Sequence, residues 1–153
     1  MKKNPVIRTT FLKTCLYIFF TFQSILMVKA QKPEFKLQLS NLKKNPSNVY
    51  VAFFKKGSDF PKDEAVTIGK VFKSSGKGTD TVIWTDIPAN EYAIAIFQDL
   101  NGNGKIDTNL IGYPTEPFAF SNNFKPRFSA PKFNDCKFVY DGGILTINIK
   151  MIN

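Results

Sequence analysis

A chain of 153 residues with 43% hydrophobic and 22% charged residues has the balance of one globular domain. Its 21 Lys and Arg stand against 12 Asp and Glu, a formal charge of +9, and it contains no histidine. The missing imidazole excludes the commonest general base, the Ser-His and Cys-His nucleophile pairs, and every zinc site built on histidine.

Residues 1–30 read as an address. Lys2, Lys3, Arg8 and Lys13 make a positive start with no acidic partner. Leu16 to Val28 is an apolar run broken only by Thr21, Gln23 and Ser24, and Val28-Lys29-Ala30 presents small residues where a signal peptidase reads. The run is shorter than the ~20 residues of a spanning helix, and Cys15 opens it rather than closing it, unlike a lipoprotein. The pattern predicts a secretory signal cleaved before Gln31, a periplasmic or secreted location, and a single mature domain over 31–153 that does not span a membrane. Five basic residues (Lys2, Lys3, Arg8, Lys13, Lys29) leave with the signal, so the formal charge falls from +9 to +4. The lysines that remain are scattered and have no nucleic-acid-binding pattern beside them, which predicts a solvated surface and no nucleic-acid partner.

Phe35, Leu37 and Leu39 alternate with Lys36, Gln38 and Ser40, which predicts a half-buried strand. Val49 to Phe54 predicts a second, ended by Lys55-Lys56-Gly57-Ser58, and Val66 to Phe72 a third. Thr79 to Thr85 predicts a fourth and Glu91 to Gln98 a fifth, after the turn Ile87-Pro88-Ala89-Asn90. The second and fifth are apolar on both faces, as strands covered on both sides are.

The next stretch carries the strongest local signal. Asp99-Leu100-Asn101-Gly102-Asn103-Gly104-Lys105-Ile106-Asp107 places oxygen side chains at loop positions 1, 3, 5 and 9, glycine at 6 and an aliphatic residue at 8. That is the front of an EF-hand-type calcium loop, in which alternate residues of a tight turn point oxygens at one hard cation. Asp99, Asn101, Asn103 and Asp107 are the candidate side-chain ligands, Lys105 offers its backbone carbonyl, and calcium is the expected ion. Position 12 is Leu110 where an EF-hand has glutamate, and a strand rather than a helix leads in, so this is not an EF-hand. Glu116 is the candidate to close the shell. The competing reading is an Asn-Gly turn in which the carboxylates cap backbone amides.

Between Pro114, Pro117 and Pro126 fall Phe118, Phe120, Phe124 and Phe128, the expected cover for Ala52, Ala93 and Ala95 on the outer face of the apolar strands. Phe118, Phe120, Asn122 and Asn123 are also the candidate ligand-binding residues of this loop. Lys132 to Tyr140 and Ile144 to Met151 predict two more strands, joined at Asp141-Gly142-Gly143. Cys136, the one thiol of the mature chain, has no base beside it and reads as a buried structural residue. About seven short strands predict an all-β fold, an antiparallel β-sandwich with a long aromatic loop after the calcium-type loop.

Three stretches taken together carry a resemblance: Ile87 to Ala93, Asp99 to Asp107, and Gly112-Tyr113-Pro114-Thr115-Glu116-Pro117-Phe118-Ala119-Phe120-Ser121-Asn122-Asn123. They resemble a secreted bacterial family catalogued only as a domain of unknown function, over about Phe35 to Ile149. The resemblance implies an exported small β-sandwich of the transthyretin or collagen-adhesin B (Ig-like) type with no established activity. Gln98 stands where that family often has histidine.

The sequence therefore predicts an exported, non-enzymatic accessory or binding module of the bacterial envelope, stabilised by calcium, with an envelope protein or a glycan as the class of partner. The alternative is a carbohydrate- or peptide-binding domain using the aromatics of 113–128, with Trp84 either a further contact or core. A carboxylate-based hydrolase would need two carboxylates converging in a cleft.

Overall fold

In a computed structural model the chain is described over residues 32–153 except Phe128, and without the side chain of Asp63. The expected export signal and its cleavage point lie outside the described residues. Eight strands run through these residues: β1 Glu34–Ser40, β2 Asn48–Lys55, β3 Ile68–Lys73, β4 Thr79–Trp84, β5 Asn90–Asp99, β6 Phe118–Phe120, β7 Phe138–Tyr140 and β8 Ile144–Lys150. The helical residues are one short turn, α1 Phe133–Cys136, and two 3-10 turns at Asp63–Ala65 and Ser121–Asn123. Among the described residues no helix is long and apolar enough to cross a membrane.

Two sheets result. In the first, β1 lies between β4 and β8, antiparallel to β4 (Phe35 opposite Trp84) and parallel to β8 (Leu37 opposite Ile147). In the second, the order is β3-β2-β5, all antiparallel, and the far edge of β5 is shared by two short strands. β6 pairs with residues 95–97 and β7 with residues 90–92.

Alternation decides what each face buries. Phe35, Leu37 and Leu39 of β1 meet Val49, Val51 and Phe53 of β2 and Tyr92, Ile94 and Ile96 of β5 in one core between the sheets. Phe35 sits edge-on to Phe53 and Tyr140, with ring centroids 5.3 Å and 5.4 Å apart, the geometry aromatic quadrupoles prefer. Trp84 is half-buried against this core and lies near-parallel to Phe35, so its alternation with Val82 reflects packing.

The outer face of the second sheet holds another apolar cluster of Phe54, Phe60, Ala93, Phe118, Phe120 and Cys136, with Ala52, Ala95, Phe124 and Phe133 at its margin. This explains why β2 and β5 are apolar on both faces. The aromatic cover forms differently from the sequence expectation. Phe118-Ala119-Phe120 is a strand, not loop, and its pairing with β5 sends both rings to the outer face and Ala119 into the inter-sheet core. Phe60 and Phe133 add rings from two further segments, Phe60 edge-on to Phe120 at 5.8 Å.

Two other expectations are corrected. Residues 132–140 are not one strand: Phe133–Cys136 is a helical turn and only Phe138–Tyr140 is extended. The reason is local, since the Asp135 carboxylate accepts the Lys132 N–H at 2.8 Å and caps the turn. The third strand begins at Ile68 rather than Val66: at Thr67 the side-chain hydroxyl, not the backbone carbonyl, accepts the Lys55 N–H at 3.2 Å, and the ladder ends there.

Candidate functional site

The calcium-type loop leaves the end of β5. Asp99 is buried, and its Oδ1 accepts the N–H groups of Gly102 at 2.7 Å and Asn103 at 3.2 Å, while Oδ2 accepts that of Gly104 at 2.9 Å. Gly102 and Gly104 have φ of 78° and 75°, which is why the turn needs glycine there. The Asn101 Oδ1 accepts the Asn103 N–H at 3.1 Å, and the Asn103 Oδ1 accepts the Lys105 N–H at 2.8 Å. Both asparagine Nδ2 groups donate to the Asp107 carboxylate, Asn101 at 2.6 Å and Asn103 at 3.1 Å. The sequence spacing thus brings Asp99, Asn101, Asn103 and Asp107 together.

Glu116 has a different place. It is buried, and its Oε1 accepts the Leu100 N–H at 2.7 Å and its Oε2 the Asp107 N–H at 3.2 Å. Beside it the Thr115 N–H donates to the Asp107 carbonyl at 2.8 Å. Glu116 is a clamp across the base of the loop, holding positions 2 and 9 together. Among the described residues no three carboxylate, thiol or imidazole groups converge on one point. The loop's oxygens suit a hard cation chemically, but in this arrangement each accepts a protein N–H and both amides turn donors toward Asp107. An ion would be held only after both amides turned over, exchanging Nδ2 for Oδ1.

The other candidate residues separate into two groups. Asn122 and Asn123, at φ of 60° and 53°, spend their side chains on backbone. The Asn122 Nδ2 donates to the Lys137 carbonyl at 3.0 Å. The Asn123 Nδ2 donates to the Asn148 carbonyl at 3.0 Å and its Oδ1 accepts the Lys150 N–H at 2.7 Å, so it is fastened to β8 like a further strand residue. Phe118 and Phe120, by contrast, form one wall of a groove of about 470 Å³ on the outer face of the second sheet.

That groove exists because of two alanines. Ala52 and Ala95 are directly opposite each other across β2 and β5 and both point outward, leaving a hollow between Tyr50 and Phe97 on one side and Phe54 on the other. Ile106, Tyr113 and Pro126 line it from the far side, and among the described side chains of its lining Arg127 alone is ionised. The sequence points to Phe118 and Phe120 and, among the aromatics of 113–128, to Tyr113; Tyr50, Ile106, Ile111 and Arg127 join the lining only through the fold. The readable signal was the outward Ala52 and Ala95, but only the register shows that they are opposite neighbours.

The rings of the groove also pack on one another. Tyr50 and Phe97 stack on one another with centroids 4.7 Å apart and planes 3° from parallel. Phe118 is edge-on to both Tyr113 and Phe120. At the rim, Asn109 closes a tight turn by accepting the N–H groups of Ile111 and Tyr113 at its Oδ1. The turn displays Leu110 and Ile111 at 106% and 87% exposure.

Gln98 faces the inter-sheet core and is fully buried. Its Oε1 accepts the Lys43 N–H at 2.8 Å and its Nε2 donates to the Lys43 carbonyl at 3.1 Å and the Ser47 hydroxyl at 2.9 Å. It anchors the segment before β2. Cys136 is also fully buried, and burial, reinforced by Asp135, pushes its thiol up to about 12. Asp59 is exposed and paired with Lys62.

No curated protein and no solved structure is significantly similar to this chain. One family model does match, over residues 37–148, and it describes an uncharacterised protein conserved in bacteria. These residues run from β1 into β8 and include the Asp99–Asp107 loop, the Glu116 clamp, β6 and the Ser121–Asn123 turn; the chain belongs to this family, DUF2141.

Proposed function

We propose that this chain is an exported, non-enzymatic binding module of the bacterial envelope, a sandwich of the transthyretin or collagen-adhesin B type whose binding surface is the groove over Ala52 and Ala95. The groove carries this reading. Its volume of about 470 Å³ falls in the range of about 300–1,000 Å³ usual for small-molecule sites, and its lining is mainly apolar with few polar groups, as such sites are. Leu110 and Ile111 support it, because two fully displayed aliphatic side chains at the rim contribute nothing to the core and favour an apolar partner. A glycan is the weaker alternative, since sugars stack on open ring faces and Tyr50 and Phe97 cover each other.

Calcium belongs to the proposal as a stabiliser of the 99–107 loop, held by Asp99, Asn101, Asn103, the Lys105 carbonyl and Asp107 after both amides turn over. Glu116 would act behind that shell by keeping the loop's two ends together.

The test of the groove is titration of the purified protein with Nile red, a neutral apolar dye. Saturable one-site binding is expected, and Ala95→Leu should abolish it while far-UV circular dichroism and cooperative melting persist. Dye binding that is absent, or that Ala95→Leu leaves unchanged, removes the groove from the function.

A further inference from the structure

We infer that the groove takes a single alkyl chain ending in a carboxylate, with the chain over Ala52 and Ala95 and the head at Arg127; this rests on the groove being the binding surface. Three properties of the lining select that chemistry.

The first is charge. Among the described side chains that line the groove Arg127 alone is ionised, and among the described residues it takes part in no ion pair. One guanidinium matches one monoanion, and its fork fits a carboxylate with two parallel hydrogen bonds. Tyr50, Thr108, Tyr113 and Ser129 supply neutral hydroxyls to the lining, which neither oppose nor replace that charge.

The second is the backbone. The floor strands β2 and β5 are each paired on both edges, β2 by β3 and β5 and β5 by β2 and β6, so the floor has no open ladder to offer. A peptide laid in the groove would lose the water bound to its amides without gaining ladder partners, which leaves polar groups unsatisfied. An alkyl chain has no such groups to lose.

The third is the shape of the aromatic wall. Phe118 and Phe120 cross at 73° with centroids 5.9 Å apart, and Tyr113 meets Phe118 at 84°. Rings set at these angles do not form a flat platform. Flexible methylenes follow such a surface, whereas a planar sugar face does not.

The experiment is displacement of Nile red by dodecanoate and by dodecanol, both below their aggregation limits, from wild type and Arg127→Gln. Dodecanoate should displace the dye one for one and bind wild type roughly ten-fold more tightly than dodecanol does. Arg127→Gln should erase that roughly ten-fold difference, the size expected for one charge-assisted contact, and leave dye and dodecanol binding unchanged. Arg127 is exposed, so the variant should melt like wild type. Equal affinities in wild type, or dodecanoate binding untouched by Arg127→Gln, overturns the anionic head while dye binding still upholds the groove. Loss of dye binding in wild type itself overturns both.

Discussion

The Ser121 hydroxyl stands in for a strand opposite Ile94. β6 ends at Phe120 and β7 begins at Phe138, and in the gap the Ile94 N–H donates to the Ser121 Oγ at 2.9 Å while that hydroxyl donates to the Cys136 carbonyl. One buried side chain thereby satisfies a donor and an acceptor that the split edge would leave unpaired. Ser121→Ala should cost about 1–3 kcal/mol, since it leaves a buried N–H without a partner. Urea denaturation should show a lower midpoint at unchanged slope. An unchanged midpoint would mean that the gap does not depend on this hydroxyl.

Phe120→Ala tests the outer cluster. Phe120 is 9% exposed and touches Phe60 and Phe118 edge-on. Removing its ring should lower stability by ~3–5 kcal/mol if the outer face is a true second core. A near-zero effect in thermal melting would show that β6 lies loosely on β5.

How much of this was legible depends on period and length. β1, β2, β4, β5 and β8 have enough alternating residues to declare themselves, and their observed limits differ from the expected ones by a residue or two. β6 is three residues behind Pro117, too short for any period to show, although the phenylalanine cluster around it was readable. The helical turn at Phe133–Cys136 is equally short, and its capping contact involves one side chain. The Asp99–Asp107 spacing announced a turn full of oxygens. That Glu116 faces backbone amides rather than the loop interior depends on the 107–115 pairing, a tertiary fact.

Calcium is tested by melting. The ion would stabilise the fold by RT ln(1+[L]/Kd), about 2.7 kcal/mol at ~100 times Kd. With two neutral amides as ligands, affinity should lie in the ~10⁻⁴–10⁻³ M range of extracellular modules, and magnesium should substitute poorly. Chelator should lower the wild-type Tm, and Asp99→Ala should make melting insensitive to calcium. Because Asp99 also holds three backbone N–H groups, this variant should be less stable in either condition. Wild-type melting unmoved by millimolar calcium would leave the loop a hydrogen-bonded turn.

Cys136 makes a prediction about alkaline pH. Its thiol is held up to about 12 against an ordinary value of 9.0, and burial also raises Tyr92 and Tyr140. Between these two limits the unfolded chain gives up the thiol proton and the folded chain keeps it. Stability should therefore fall as pH rises from about 9 toward about 12. Cys136→Ala should flatten that fall. At pH 8, labelling by a disulfide reagent should proceed only as fast as the protein opens, and fast labelling of folded protein would contradict the burial.

Export is tested by mass. Protein recovered from its native host outside the cytoplasm should begin at Gln31. A full-length chain held in the membrane would contradict the signal reading.

The parallel pairing of β1 with β8 sets an order of assembly. β1 is made first among the described strands, yet one of its edges is filled only by the last, which also delivers Ile149 and Met151 to the core. A nascent chain lacking β8 leaves Phe35, Leu37 and Leu39 beside an open ladder, with the inter-sheet core missing part of one wall. Closing that sheet spans nearly the whole length of the domain, the kind of non-local contact that folds slowly. The domain should thus reach its final form only after β8 has been made.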